Sequence, residues 1–345
     1  MPTASLSEAQ QLERLKGHRR GPYLSHNPVS ATQIWQWCSA MGDNNPSYRY
    51  GESQIAPPAM MQMWTMRDFN DRYAPGSTSA PPYQVFEDMR ALGYPANVAV
   101  SYDIRFHRYL RLGESARHFT SVVNISDRKA TRLGTGYFVT ERVEYLTLDE
   151  TVFADALITY FQYQAAAAAA LDAEALVALN TAAELPLGES ADTDVNLWQP
   201  DFSDIDPCGL KIGDRLPQLR IPITHRLIVG GAIATQDFIP VHHHVPAAQA
   251  AGMSDIFMNI LTTSGLSARY LSDWAGASSR LQAIKFNLMA PNFPGDVMMM
   301  AGEVAAIEAG PAGASVQVAF TGSNRQGYHT SGTATLALLN KKTTG

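Results

Sequence analysis

Cysteine is almost missing from this 345-residue chain. Its two copies, Cys38 and Cys208, are far apart and no CxxC occurs. A disulfide framework and a zinc ribbon are therefore excluded, and a reducing cytoplasm is expected. Basic charge is also scarce. Lys and Arg number 26 against 32 Asp and Glu, a net charge of −6, so the basic surface a nucleic-acid protein needs is lacking. No apolar run reaches the ~20 residues of a membrane span. The nearest, Ala165–Ala170, is too short. The opening residues MPTASLSEAQQLERLKGHRRG carry no apolar core of a secretory signal. What is present is 46% hydrophobic and 17% charged, an ordinary globular composition. The length suits two domains.

An alanine-rich stretch separates two halves. From Ala165, Leu171, Ala175 and Leu179 share a helical face before Pro186 and Gly188 intervene. Polar residues with Pro200 and Pro207 follow. The expected division is 1–164, a helical linker over 165–200, and 201–345.

The halves repeat each other. GDNNPSY places Asp43 before Pro46 and Tyr48; QDFIPVH places Asp237 before Pro240 and His242, all 194 residues on. Ile104-Arg-Phe106 returns as Ile284-Lys-Phe286, and Gly113-Glu114 as Gly295-Asp296. Order and spacing are both kept, which marks a duplication. Alternating apolar residues flank turns at 324–327 and 149–150, two hairpin signatures. Ser254–Gly276 reads as one helix, capped by Ser254 or Asp255 and ended by Gly276. Its first-half counterpart is expected to begin near Ala56 and to end before Pro75, because Pro75, Gly76, Pro81 and Pro82 cannot continue a helix.

Three consecutive histidines, His242 to His244, invite a metal reading. Consecutive side chains point in different directions, and no H-x3-H or carboxylate at ligand spacing accompanies them. No metal is expected. His243 and His244 are read as orienting or solvent-facing groups. Met60, Met61, Met63, Met66 and 298–300 read as core or as an adaptable pocket lining, and Arg105, Arg108 and Arg111 as a solvated sheet face.

With GDNNPSY in one half, and DFIPVHH followed by DIFMNILTTSGL in the other, the chain resembles the MaoC-like hot-dog enoyl-CoA hydratases. The resemblance spans nearly everything but the first thirty or so residues and the linker. It implies an α+β double hot dog, each half an antiparallel sheet wrapped around a central helix. The second half is similar to the catalytic subunit of two-subunit steroid side-chain hydratases, and the first to the non-catalytic hot dog of its partner, here fused.

Hydration of an α,β-unsaturated thioester needs a deprotonated water at the β-carbon, a proton at the α-carbon, and stabilisation of charge on the thioester oxygen. On this resemblance Asp237 and His242 supply the proton transfers. A backbone N–H at the start of the following helix, near Met258 to Ile260 and marked by Asn259, supplies the oxyanion contact. Tyr48, a phenol with pKa near ~10, replaces the histidine in the first half and is a poor shuttle at neutral pH; Asp43 is read as a turn residue.

The expected activity is hydration of a bulky steroid enoyl-CoA, without a cofactor beyond the substrate's own CoA. A homo-oligomer of double hot dogs, and a downstream aldolase or thiolase partner, are also expected. The alternatives are a hydratase or dehydratase for ordinary fatty enoyl-CoA, and a non-catalytic acyl-CoA-binding scaffold for a thiolase or aldolase.

Overall fold

The computed structural model describes residues 6–49, 51, 54–131, 133–165 and 198–340. The expected linker helix falls at 166–197, outside the described residues.

The strands are β1 (Arg20–Leu24), β2 (Ala96–Phe106), β3 (Ala116–Ile125), β4 (Lys129–Ala130), β5 (Gly134–Thr147), β6 (Val152–Ala165), β7 (Arg215–Pro222), β8 (Arg280–Leu288), β9 (Val297–Gly310), β10 (Gly313–Asn324) and β11 (Gly327–Leu339). They form one antiparallel sheet in the order β1-β3-β5-β6-β2-β8-β11-β10-β9-β7, with β4 paired to β5. Setting β4 aside, each half is strung first-third-fourth-fifth-second. The two second strands, β2 and β8, join the halves.

At that seam the sequence repeat meets itself. Ile104 stands opposite Ile284, Tyr102 opposite Phe286 and Asp103 opposite Lys285. The last pair is an ion pair at 3.1 Å. A pseudo-twofold axis therefore passes between the two isoleucines, and the sheet buries its apolar residues in one core cluster spanning both halves. The hairpins fall where alternation placed them: Asn324 pairs with Gly327, and Glu150 turns with φ 70° between β5 and β6.

The helices are α1 (Glu8–Arg14), α2 (Ala31–Met41), α3 (Pro46–Arg49), α4 (Gln84–Ala91), α5 (His225–Ala234), α6 (Val245–Ala250) and α7 (Ile260–Ala275). In α7 every residue except Arg269 is buried, as a helix enclosed by a sheet and its neighbours must be. Close approach is made possible by small residues: a Cβ on Gly265 would lie 2.8 Å from Trp37 of α2.

Two helix expectations are corrected. α7 begins at Ile260, not at Ser254. Over 254–259 the backbone groups find other partners: Ile256 N–H donates to the Asp255 carboxylate, Met258 N–H to the Asn292 carbonyl, and the Phe257 carbonyl accepts from His242. Such competition displaces the helix start. In the first half the long helix from Ala56 is reduced to two 3-10 turns, Pro58–Met60 and Met63–Thr65. Asp68 then accepts the amides of Asn70 and Arg72 in a side-chain turn, and neither helix nor strand resumes until Gln84. The irregular segment expected across Pro75–Pro82 is thus present, and the concave face of the first-half sheet has no long helix over it.

Candidate active site

The Asp-to-His segment hangs from the end of α5. Thr224 caps the start of this helix. At its end Gln236 takes φ 55°, the left-handed region that reverses the chain. Asp237 N–H then returns to the Ala232 carbonyl at 2.9 Å, and Pro240 opens a 3-10 turn ending at His242. The first half repeats this turn at the same offset. Gly42 has φ 65°, Asp43 N–H donates to the Cys38 carbonyl at 2.8 Å, and Pro46 opens α3.

Asp237 and His242 are both buried, and His242 Nε2 lies 3.6 Å from Asp237 Oδ2. That is too long for a direct hydrogen bond. His242 Nδ1 is 2.7 Å from the Phe257 carbonyl. A carbonyl only accepts, so Nδ1 carries the hydrogen and the neutral ring offers a lone pair at Nε2. Two acceptors therefore face each other, a geometry that a water donating to both would complete. Asp237 Oδ1 is buried without a hydrogen-bond partner among the described residues. His243 and His244 are exposed, so His242 alone of the three turns inward.

Asn259 joins this site through its side chain. It is the N-cap of α7: its Oδ1 accepts the Thr262 amide at 2.8 Å, and its Nδ2 donates to Asp237 Oδ2 at 2.9 Å and Thr235 Oγ1 at 3.0 Å. Thr235 in turn donates to the Gly231 carbonyl at 2.8 Å. The amides of Ile260 and Leu261 in the first turn of α7 have no intrahelical partner, and the helix dipole makes that end electropositive. The three residues singled out from sequence thus come together. Sequence reasoning missed Thr235, Thr263 and His329. Thr263 donates to His329 Nε2 at 2.9 Å, and His329 Nδ1 donates to the Ala290 carbonyl at 2.7 Å. Burial pushes the His329 pKa down to about 4, so the ring is neutral behind the start of α7. No spacing in the sequence marks these three.

The equivalent first-half pair is built differently. Asp43 Oδ1 accepts the Asn45 amide at 2.9 Å, and burial raises its pKa. Tyr48 is buried beside Tyr109 and Arg280, and burial pushes its phenol further up. Arg108, read as solvated, forms a two-point ion pair with Glu114 and, with Arg111 and Arg280, lines a cleft on that side of the seam. Met60, Met61 and Met63 are core, while Met66 lines a separate first-half cavity.

A MaoC like domain matches residues 211–339. A 3-oxo-4,17-pregnadiene-20-carboxyl-CoA hydratase beta subunit from Mycobacterium tuberculosis is 39% identical over 127 residues, which is 37% of this chain and 95% of that subunit. The alpha subunit named for the same activity in that organism is 31% identical over 139 residues, 38% of this chain and 44% of that one. Among solved structures, a MaoC-like dehydratase superposes over 96% of this chain and 100% of its own, with a TM-score of 0.65 at 17% identity. The chain belongs to the MaoC-like family, with the double hot-dog fold. It is an enzyme of the hydratase type.

Proposed function

We propose that the protein adds water across the α,β double bond of an enoyl-CoA, and that its acyl group is a bulky, steroid-type fused-ring system. One observation carries the chemistry: the facing acceptors His242 Nε2 and Asp237 Oδ2 at 3.6 Å, beside the free first-turn amides of α7. A water held between the acceptors loses a proton to His242 Nε2 as its oxygen bonds to the β-carbon. The π electrons move to the α-carbon and thioester oxygen, and the amides at the start of α7 stabilise that charge. Asp237 remains ionised and balances the imidazolium. His242 then returns the proton to the α-carbon, so the H and OH of one water end on adjacent carbons. CoA belongs to the substrate, and the reaction as written calls for no other cofactor.

The fused-ring reading draws on the absent long helix of the first half and on the relatives, whose names specify a pregnadiene carboxyl-CoA. Phe69, on the irregular segment replacing that helix, packs edge-on against Phe238, the residue after Asp237, with centroids 5.5 Å apart. The opened region and the Asp237/His242 pair are therefore neighbours. The test is a panel of enoyl-CoA thioesters from crotonyl to fused-ring, read by loss of the conjugated-thioester absorbance. A kcat/KM for the fused-ring substrate at least about tenfold above crotonyl-CoA is expected, roughly 1.4 kcal/mol of transition-state binding. A preference for crotonyl-CoA would leave an ordinary fatty enoyl hydratase. No hydration of any member alongside tight binding would leave a scaffold.

A further inference from the structure

The concave face of the first-half sheet carries a carboxyl group where strand alternation calls for an apolar side chain. Tyr137, Val139, Glu141, Val143 and Tyr145 alternate along β5, and all but Glu141 suit the interior of a hot dog. Glu141 is only 1% exposed. Its Oε1 is buried without a hydrogen-bond partner among the described residues, as is Nδ1 of His118, on the same face of neighbouring β3. Burial pushes the Glu141 carboxyl up to about 7, with Arg20 and the Thr120 hydroxyl offsetting part of the effect. Burial pushes His118 down to about 3, so its ring is neutral and gives Glu141 no counter-charge. A polar cluster kept in a core without partners is costly unless something satisfies it.

These groups border a narrow cavity of about 380 Å³ between the sheet and the irregular segment, walled by Met66, Tyr73, Tyr83 and Tyr160. Tyr83 and Tyr160 lie within electrostatic reach of both Glu141 and Asp237, so they stand between the two carboxylates. The cavity thus leads from the region of Asp237 to Glu141. Its outer wall over 66–83 is neither helix nor strand, so widening it breaks no ladder or helical turn.

We propose that Glu141, together with Thr120 and His118, binds an oxygen function, ketone or hydroxyl, at the end of the acyl group remote from the thioester. The enzyme is then selective for oxygenated ring systems over all-hydrocarbon ones. This rests on the acyl-CoA reading above and narrows its substrate. A protonated carboxyl donates to a ketone, an ionised one accepts from a hydroxyl, and a pKa near neutrality makes both forms accessible.

The test is binding, independent of turnover. Saturated fused-ring acyl-CoA thioesters that differ only at the ring carbon farthest from the thioester, bearing a ketone, a hydroxyl or hydrogen, are titrated calorimetrically. Wild-type protein should bind at least one oxygenated form about tenfold or more tightly than the hydrocarbon form, the scale of one buried hydrogen bond. Glu141→Leu should bring that ratio close to one, and Glu141→Gln, which keeps a donor and an acceptor, should retain most of it. Equal wild-type affinity for all three ligands, or an unchanged ratio in a folded Glu141→Leu protein, overturns the proposal. Crotonyl-CoA hydration is measured alongside. Discrimination without any hydration would sink the hydratase reading and leave this site standing; hydration without discrimination would do the reverse.

Discussion

Asn259 Nδ2 donates to Asp237 Oδ2 at 2.9 Å while the other end of the same amide caps α7. One side chain therefore fixes the helix start and the carboxylate relative to each other. Asn259→Asp keeps the cap and loses the donor, placing like charges together. It is expected to lower kcat by about 10–100-fold with a modest loss of Tm, because misplacement of a reacting group is costly. Asn259→Ala loses the cap as well and should cost about 1–3 kcal/mol of stability by denaturant unfolding. Wild-type kcat in Asn259→Asp would remove Asn259 from the positioning of Asp237.

Asp237→Asn and His242→Gln each remove a proton-transfer group at nearly constant shape. Steady-state kinetics should show kcat lower by on the order of 10²–10⁴ in each. Circular dichroism should stay unchanged, since neither side chain is part of the large apolar core. Full turnover in either variant contradicts the mechanism.

The first-half pair should behave otherwise. Tyr48→Phe removes only a buried hydroxyl whose phenol is held protonated, and Asp43→Asn leaves an acceptor for the Asn45 amide. Both should keep kcat within a few-fold of wild type. A loss as deep as that of Asp237→Asn, in a folded protein, would mean that both halves catalyse.

The Asp237 and His242 pairing is legible in the sequence because a duplicated segment with a fixed offset constrains geometry. The turn at Gln236 and its twin at Gly42 follow the same path, so each residue's position is implied by its copy. The seam is half legible: the Ile104 and Ile284 motifs match, but only strand pairing reveals that they face each other. Periodicity misplaces the start of α7 because it cannot register tertiary partners for Phe257 and Met258. Glu141 is open to detection as a charge at an inward position of YFVTERVEYL, but strand parity has to be known first. His329 carries no local pattern at all.

Burial pushes the pKa of both Glu141 and Asp273 up to about 7. The unfolded chain loses these protons near pH 4–4.5, so between there and about 7 the folded state binds more protons and stability falls as pH rises. His329 acts oppositely. With its folded pKa lowered to about 4, it destabilises the fold as pH falls from 6.5 towards 4. Glu141→Gln should therefore raise Tm at pH 8 and have little effect at pH 5. The pH 8 gain should be a few kcal/mol at most, since each tenfold difference in proton affinity between folded and unfolded chain is worth roughly 1.4 kcal/mol. An equal effect at both pH values would mean Glu141 is not an unpaired buried acid.

The last expectation concerns the crossing of α5 and α7. A Cβ added at Gly231 would sit 2.4 Å from Oγ1 and 2.8 Å from Cγ2 of Thr262. Thr262 is fully buried in the first turn of α7, and its amide is the one capped by Asn259, so it cannot swing aside without disturbing that cap. The helices must separate instead. Asp237 hangs from the end of one and Asn259 begins the other, so their 2.9 Å contact would lengthen. Gly231→Ala is thus expected to lower both Tm and kcat, the latter by about tenfold or more, although alanine is intrinsically the better helix former by about 1 kcal/mol. Gly230 supplies the control. It lies in the same helix with nothing within 4 Å of its added Cβ, so Gly230→Ala should leave kcat unchanged and hold or raise Tm. If both variants behave alike, the helix crossing does not set the geometry of the site.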